Sequence, residues 1–349
     1  MSGMSKKKIL VYGYFGYQNN QLDGQTIKTR SIFELLKEKC TYHGIQVDYF
    51  DTQIFKKSKF NLLKSLVLIF RYNKLFYLPA HNNLKFIFPF IYIVCKISRI
   101  DIHYVVVGGW LHDFLKTLPL HRWMLRKVKC IYPQTKELVR LLENSYNFNN
   151  VVQLNNFRII DERCNTVKPK HGVKLVFMAR VHPQKGLNTI YQLADRLRKI
   201  ARENVTIDIY GPIYDQYKEE FYTRIREFED IIKYSGILLP EKIVDTLSGY
   251  DIFLFPTEYY TEGFPGSILE AYLADLPVVA SNWQYAPEFV VDGQTGYISE
   301  FGNSQDFVNK VIYLLDNPTI LDKLSECVKH HKHKYSPEFA WKILRQKII

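Results

Sequence analysis

Tyr250-Asp251-Ile252-Phe253-Leu254-Phe255-Pro256-Thr257, then Glu262-Gly263-Phe264-Pro265-Gly266-Ser267-Ile268-Leu269-Glu270-Ala271-Tyr272-Leu273-Ala274, then Leu276-Pro277-Val278-Val279-Ala280-Ser281: this stretch decides the fold. Its first part is a short apolar run closed by proline, the pattern of a strand buried on both faces of a parallel sheet. From Ser267 the apolar residues recur at helical spacing, and Leu276 to Ser281 reads as the next strand. The order strand, loop, helix, strand predicts an α/β unit, whose ligands bind just beyond the carboxyl ends of the strands. The loop Gly263-Phe264-Pro265-Gly266 opens onto a helix start, where unpaired N–H groups and the positive end of the helix dipole favour an anion. Were that anion the diphosphate of a nucleotide-sugar, Glu262 and Glu270 would flank it, Glu262 reaching sugar hydroxyls and Glu270 ribose hydroxyls. A plain loop followed by an amphipathic helix with two solvated glutamates has the same spacing.

A second basic turn lies upstream. Leu175 to Ala179 is apolar and Leu187 to Leu197 has helical spacing, so Arg180 and Lys185 in Met178-Ala179-Arg180-Val181-His182-Pro183-Gln184-Lys185-Gly186 occupy a strand-to-helix turn. A guanidinium there grips phosphate oxygens through paired hydrogen bonds, and an ammonium adds a mobile point charge. Both stabilise charge growing on a leaving phosphate more than they stabilise the bound donor. Two surface cations on a loop are the plainer alternative.

These segments, in this order, resemble the donor-site signature of retaining GT-B glycosyltransferases of the family 4 (group 1) type. The match runs from Glu262 to Ala271 with Leu276 to Ala280. It is joined by the Arg180 and Lys185 segment, by Ile207-Asp208-Ile209-Tyr210-Gly211-Pro212 and by Tyr234-Ser235-Gly236-Ile237-Leu238. The resemblance implies two Rossmann-like domains facing across a cleft: an acceptor-binding domain at 1–158, a linker at 159–172, a nucleotide-sugar domain at 173–335 and a final helix at 336–349 returning to the first domain. It implies Glu262, Arg180, Lys185 and His112 as catalytic residues. Gly24, Gly211, Gly236, Ile237, Gly263, Phe264, Pro265, Gly266 and Glu270 would bind the donor. Gly24, in the loop before the first helix, touches the diphosphate in this scheme, although the family more often has adjacent glycines there. His112 follows Val107-Gly108-Gly109 and lies near the transferred sugar. The implied reaction is metal-independent hexosyl transfer with retention, from a nucleotide-diphosphate sugar to a saccharide acceptor, without a cofactor. A nucleotide-sugar-binding scaffold subunit and another GT-B enzyme, a phosphorylase or sugar-phosphate synthase, are the alternatives.

Charge separates the two halves. Residues 1–160 hold 24 Lys plus Arg against 9 Asp plus Glu, and residues 161–349 hold 23 against 26. No acidic residue lies between Asp51 and Asp101, where nine basic ones do. In this stretch Lys56, Lys57, Lys59, Lys64 and Arg71 surround the apolar run Phe60 to Phe70, a combination that predicts an interfacial helix on an anionic membrane surface. A buried helix with cations along its edge is the alternative. Such a surface suits a polyprenyl-linked saccharide acceptor in bacterial surface polysaccharide synthesis. No nucleic-acid-binding module is present, so nucleic acid is not an expected partner. The five scattered cysteines lack metal or disulfide spacing, and no apolar run reaches the ~20 residues of a membrane span. The expected location is the cytoplasm, peripheral to the inner face of the cell membrane.

Overall fold

A computed structural model of the chain describes residues 7–19, 21, 23–56, 58, 60–159 and 172–349. Lys57, Lys59, the side chain of Lys56 and residues 160–171 of the expected linker lie outside the described residues. The chain forms two compact units, one from residues up to Ile159 together with Tyr335–Ile349, the other Ile160–Lys334.

Unit 1 is built on five parallel strands: β1 (Lys8–Gly13), β2 (Gln46–Asp51), β3 (Lys74–Leu78), β4 (Asp101–Val105) and β5 (Cys130–Tyr132), in the order β2-β1-β3-β4-β5. Helices cover both faces, so β1 is apolar along its length rather than alternating. Leu10 and Tyr12 enter one core with Leu75, Tyr77 and Tyr104, while Ile9 and Val11 enter the other with Ile32, Leu35 and Leu36. The second core also takes Ala340, Leu344 and Ile348 of the helix Pro337–Ile348. That helix starts where Ser336 Oγ accepts the Phe339 N–H at 3.1 Å, with Pro337 in the first turn.

Unit 2 has six parallel strands: β6 (Val173–Met178), β7 (Val205–Tyr210), β8 (Ile232–Tyr234), β9 (Ile252–Phe255), β10 (Val278–Ser281) and β11 (Gly296–Ser299), in the order β11-β10-β9-β6-β7-β8. Leu175 pairs with Ile207 on one side and Ile252 on the other, and all three are fully buried. The strand order reverses between β6 and β9, the position where α/β sheets open a crevice for ligands.

Sequence periodicity places most strands within a residue or two. It fails at Val151-Val152-Gln153-Leu154, whose composition reads as a further strand at the end of unit 1. Val151 makes only an isolated bridge to Ile131, and beyond it Leu154 N–H bonds the Pro133 carbonyl. Proline has no N–H to return, so the ladder stops there. Strands β8 (Ile232-Lys233-Tyr234) and β11 (Gly296-Tyr297-Ile298-Ser299) are as short as β9 and β10 but contain polar or glycine positions, so neither reads as a bare apolar run.

Candidate functional site

Arg180, Lys185 and Glu262 meet at the reversal point of unit 2. The loop after β6 is held to the loop after β7 by Val181 N–H to Pro212 O at 2.9 Å and Tyr214 N–H to Val181 O at 3.0 Å. It then turns at Gly186, whose φ of +83° is left-handed; a Cβ there would lie 1.8 Å from Pro256 O. Only glycine lets this turn rest on the end of β9. A further bond, Glu258 N–H to Gln184 O at 2.9 Å, joins the loops after β6 and β9.

This close approach brings the Lys185 ammonium onto the Glu262 carboxylate in a hydrogen-bonded ion pair. The side chains are 23% and 19% exposed, respectively, so water screens the pair only in part. Lys185 Nζ also lies 5.8 Å from the Tyr259 ring centre. Arg180, His182, Gln184, Lys185 and Tyr259 line a cavity of about 360 Å3. Both cations read from the sequence therefore face one cavity, with an anionic side chain locked to one of them.

On the other side of β6, Gly211 has φ of +137°, and a Cβ on it would lie 1.8 Å from Ala179 O. Its N–H donates to Gly236 O at 2.8 Å, so the ends of β7 and β8 are adjacent. Ile237 follows with an exposed side chain. In the loop after β9, Gly263 precedes buried Phe264, whose ring stacks on Phe289 at 4.1 Å and 6°. Pro265 then leads into the helix Gly266–Leu273. Ile268 and Leu269 N–H both bond Pro265 O, which leaves the Gly266 and Ser267 N–H groups outside the helix ladder. Glu270 lies one turn along this helix and is buried.

Unit 1 departs more from expectation. Gly24 is the first residue of the helix Gly24–Thr41 rather than part of the loop before it. The reason is a reciprocal cap: Asp23 Oδ1 accepts the Thr26 N–H at 2.8 Å and Thr26 Oγ1 accepts the Asp23 N–H at 2.9 Å. A carboxylate thus already sits at this helix start. Gly24 lacks a left-handed φ, and a Cβ there would meet nothing within 4 Å, so unit 1 itself does not require glycine at this position.

His112 lies in the helix Leu111–Lys116. Its Nε2 is 3.3 Å from Ser145 Oγ, its Nδ1 is 3.3 Å from Asp113 Oδ1, and its ring stacks on Tyr146 at 5.4 Å. Both ring nitrogens therefore have partners within unit 1. His81, just beyond the carboxyl end of β3, packs against Trp110 at 4.9 Å; sequence reasoning passed over it because no glycine stands beside it to mark a turn.

Lys28 was also missed. Its whole side chain is buried, and Nζ donates to Val106 O at 2.9 Å. Burial pushes its ammonium down to about 7. The unfolded chain keeps this proton up to about pH 10, so the unfolded state binds more protons across that window and stability rises from pH 7 towards pH 10. Urea midpoints at pH 7 and 9.5 measure the rise, and Lys28→Met should flatten it. An unchanged slope in the variant would remove Lys28 as its source. Among the described residues, no three or more His, Cys, Asp and Glu side chains cluster as a metal site would.

In the basic stretch, the helix Phe60–Ile69 buries only Ser65 and Ile69. Phe60, Leu63, Val67 and Phe70 form an exposed apolar row, with Lys64 Nζ 5.5 Å from the Phe60 ring and exposed Arg71 beyond. The helix is therefore not a buried one with a charged edge. No helix among the described residues is long and apolar enough to cross a membrane.

Residues 159–332 match the family model of group 1 glycosyl transferases. The second unit is thus a group 1 glycosyl transferase domain. Over 98% of its length the chain superimposes on the crystal structure of Anabaena Alr3699/HepE in complex with UDP, with a TM-score of 0.76, 14% identity and 99% of that chain covered. Sucrose-phosphate synthase from Thermosynechococcus elongatus gives a TM-score of 0.72 at 13% identity, with 98% of each chain covered. The fold is GT-B. Among curated proteins, the capsular polysaccharide biosynthesis glycosyltransferase CapM of Staphylococcus aureus is 29% identical over 117 residues, 31% of this chain and 29% of that protein. The poly(ribitol-phosphate) alpha-N-acetylglucosaminyltransferase of Staphylococcus aureus (strain COL) is 26% identical over 203 residues, 56% of this chain and 38% of that protein. The chain spans less than half the length of either curated relative.

Proposed function

We propose that the protein is a retaining, metal-independent glycosyltransferase that moves a hexose from a nucleotide-diphosphate sugar to a lipid-linked saccharide during bacterial surface polysaccharide synthesis. The observation that carries this reading is the Lys185–Glu262 pair beside Arg180, at the strand reversal of a group 1 glycosyl transferase domain. In this reading Arg180 and Lys185 neutralise the β-phosphate as the glycosyl bond breaks, the work a divalent ion does elsewhere. Lys185 holds Glu262 in place, and Glu262 reads hydroxyls of the transferred sugar. The Gly266 and Ser267 N–H groups, with Gly263 to Pro265 shaping their approach, receive the diphosphate. Glu270 takes the ribose, and Gly211, Gly236 and Ile237 border the base. For His112 to serve at the sugar, its Ser145 hydrogen bond must give way to one from a sugar hydroxyl.

Relatives named for capsule and amylovoran synthesis support the polysaccharide assignment. HepE was solved with UDP-glucose, which makes that the first donor to try. The exposed apolar row of Phe60, Leu63, Val67 and Phe70 among cations supports peripheral attachment to an anionic inner membrane face. The test is purified protein with a panel of nucleotide-sugars and bacterial membrane extract, following both thermal shift and released nucleotide. A donor at ~100 times its dissociation constant adds about 2.7 kcal/mol of stability. Shift with release is the expected result. Shift without release would favour a nucleotide-sugar-binding subunit, and neither response would overturn the reading.

A further inference from the structure

At the amino ends of β4 and β5, the edge of the unit 1 sheet opposite its carboxyl-end loops, lies a cavity of about 470 Å3. Its rim is cationic: Lys96, Arg99, Lys127 and Lys129 line it, and none of the four pairs with a carboxylate among the described residues. The acidic lining residue, Asp101, is already engaged by Lys74 at 3.2 Å. Tyr92 also lines the cavity, and its buried hydroxyl has no hydrogen-bond partner. Four cations without a carboxylate partner on one rim favour an anion with several oxygens.

The backbone fixes where Arg99 stands. The helix Phe88–Ile97 ends in a Schellman turn, with Arg99 N–H bonded to Lys96 O at 3.4 Å and Ile100 N–H to Cys95 O at 2.8 Å. Arg99 occupies the left-handed position of that turn, at φ of +55°. Glycine fits there without strain, so Arg99→Gly keeps the turn while removing the guanidinium.

The surroundings are apolar. Phe86, Phe90, Ile93 and Ile97 form an exposed row running to this rim, and exposed Trp123, from the helix Pro119–Arg126, packs edge-on against Tyr92 at 5.7 Å with Lys127 Nζ 4.6 Å from its own ring centre. The helix Phe88–Ile97 packs on the helix Phe60–Ile69, which carries the other exposed apolar row. Aromatic and aliphatic side chains around a cluster of cations match the boundary between lipid tails and anionic headgroups.

We infer that this cavity binds the phosphodiester headgroup of an anionic lipid, with Arg99, Lys96, Lys127 and Lys129 on the phosphate and Ile93, Ile97 and Trp123 in the tail region. The inference rests on the peripheral-membrane reading and adds to it one fixed headgroup position, away from the carboxyl-end loops.

The test is co-sedimentation of the full chain with phosphatidylcholine vesicles containing or lacking phosphatidylglycerol, alongside Trp123 fluorescence with monomeric dihexanoyl-phosphatidylglycerol, referenced to Trp123→Phe. Arg99→Gly should melt at or above the wild-type temperature yet bind phosphatidylglycerol vesicles at least ten-fold more weakly. Lys96→Gln/Lys127→Gln/Lys129→Gln should lose at least ten-fold more binding than Lys64→Gln/Arg71→Gln/Lys85→Gln, which removes the same charge from the same unit. Equal losses in the two triple variants would overturn the headgroup site while leaving membrane attachment intact. A wild-type response to the short-chain lipid without vesicle binding would do the reverse. An equal response to inorganic phosphate would overturn the lipid assignment.

Discussion

Lys185→Ala should lower turnover with a nucleotide-sugar donor by about 10²- to 10³-fold, the size expected when one charge-stabilising donor to a developing anion is lost. Two effects combine. The variant removes a cation from the cavity that Arg180 also lines, and it leaves the Glu262 carboxylate, 19% exposed, without its partner. An unpaired carboxylate beside a diphosphate repels it, so donor affinity should fall as well as kcat. Glu262→Gln separates the two effects, because in Lys185→Ala/Glu262→Gln the repulsion is gone and only the missing cation remains. The double variant should therefore lose much less than the two single losses combined. Initial rates of nucleotide release over a donor titration measure all three variants. A loss below ten-fold in Lys185→Ala would take Lys185 out of the reaction.

Gly186→Ala should destabilise unit 2 by at least about 3 kcal/mol, among the largest effects of any single methyl group in the protein. A left-handed φ strains any L side chain by ~1–3 kcal/mol, and here the added carbon would also lie 1.8 Å from Pro256 O, a backbone atom that cannot swing aside. Relief requires the loop after β6 to lift from the end of β9. That would pull Lys185 away from Glu262, so residual activity should fall even below the melting temperature. Gly24→Ala is the matched control. Its backbone is helical and the space beside it is open, so alanine there should raise stability by roughly 0.5–1 kcal/mol. Thermal melts of the two variants should shift in opposite directions, and a Gly186→Ala melt within two degrees of wild type would contradict the packing described.

Unit 2 was the more legible half. Its strands β6, β9 and β10 read as bare apolar runs, β7 alternates buried Val205, Ile207 and Ile209 with Thr206 and Asp208, and the loops between them carry glycines whose positions the backbone dictates. The sequence marks Gly211 and Gly186 as turn residues, but that each closes on a neighbouring strand's carbonyl emerges only from the sheet order. The same holds for the Lys185–Glu262 pair. These residues are 77 positions apart, and only the reversal between β6 and β9 brings their loops together. Unit 1 was harder to read because its polar residues have local uses. Asp23 and Thr26 cap a helix, which moved Gly24 out of its expected loop, and His112 has partners at Ser145 and Asp113. Lys28 gave no signal, since a lysine at a buried helical position looks like any other until its neighbours are known. In the basic stretch, the exposure of the Phe60 row follows from which face of the helix meets the sheet, and apolar content alone does not fix that.

The helix Pro337–Ile348 completes the core of unit 1, although it follows all of unit 2 in the chain. During synthesis, at ~5–20 residues per second, unit 2 has emerged and can fold while unit 1 still lacks Ala340, Leu344 and Ile348. Until those side chains arrive, the core that also holds Ile9, Val11 and Leu36 is incomplete and open to chaperones and proteases. The half with the exposed cationic and apolar face is therefore the last to mature, and its completion is tied to the arrival of residues 335–349 rather than to its own first 159.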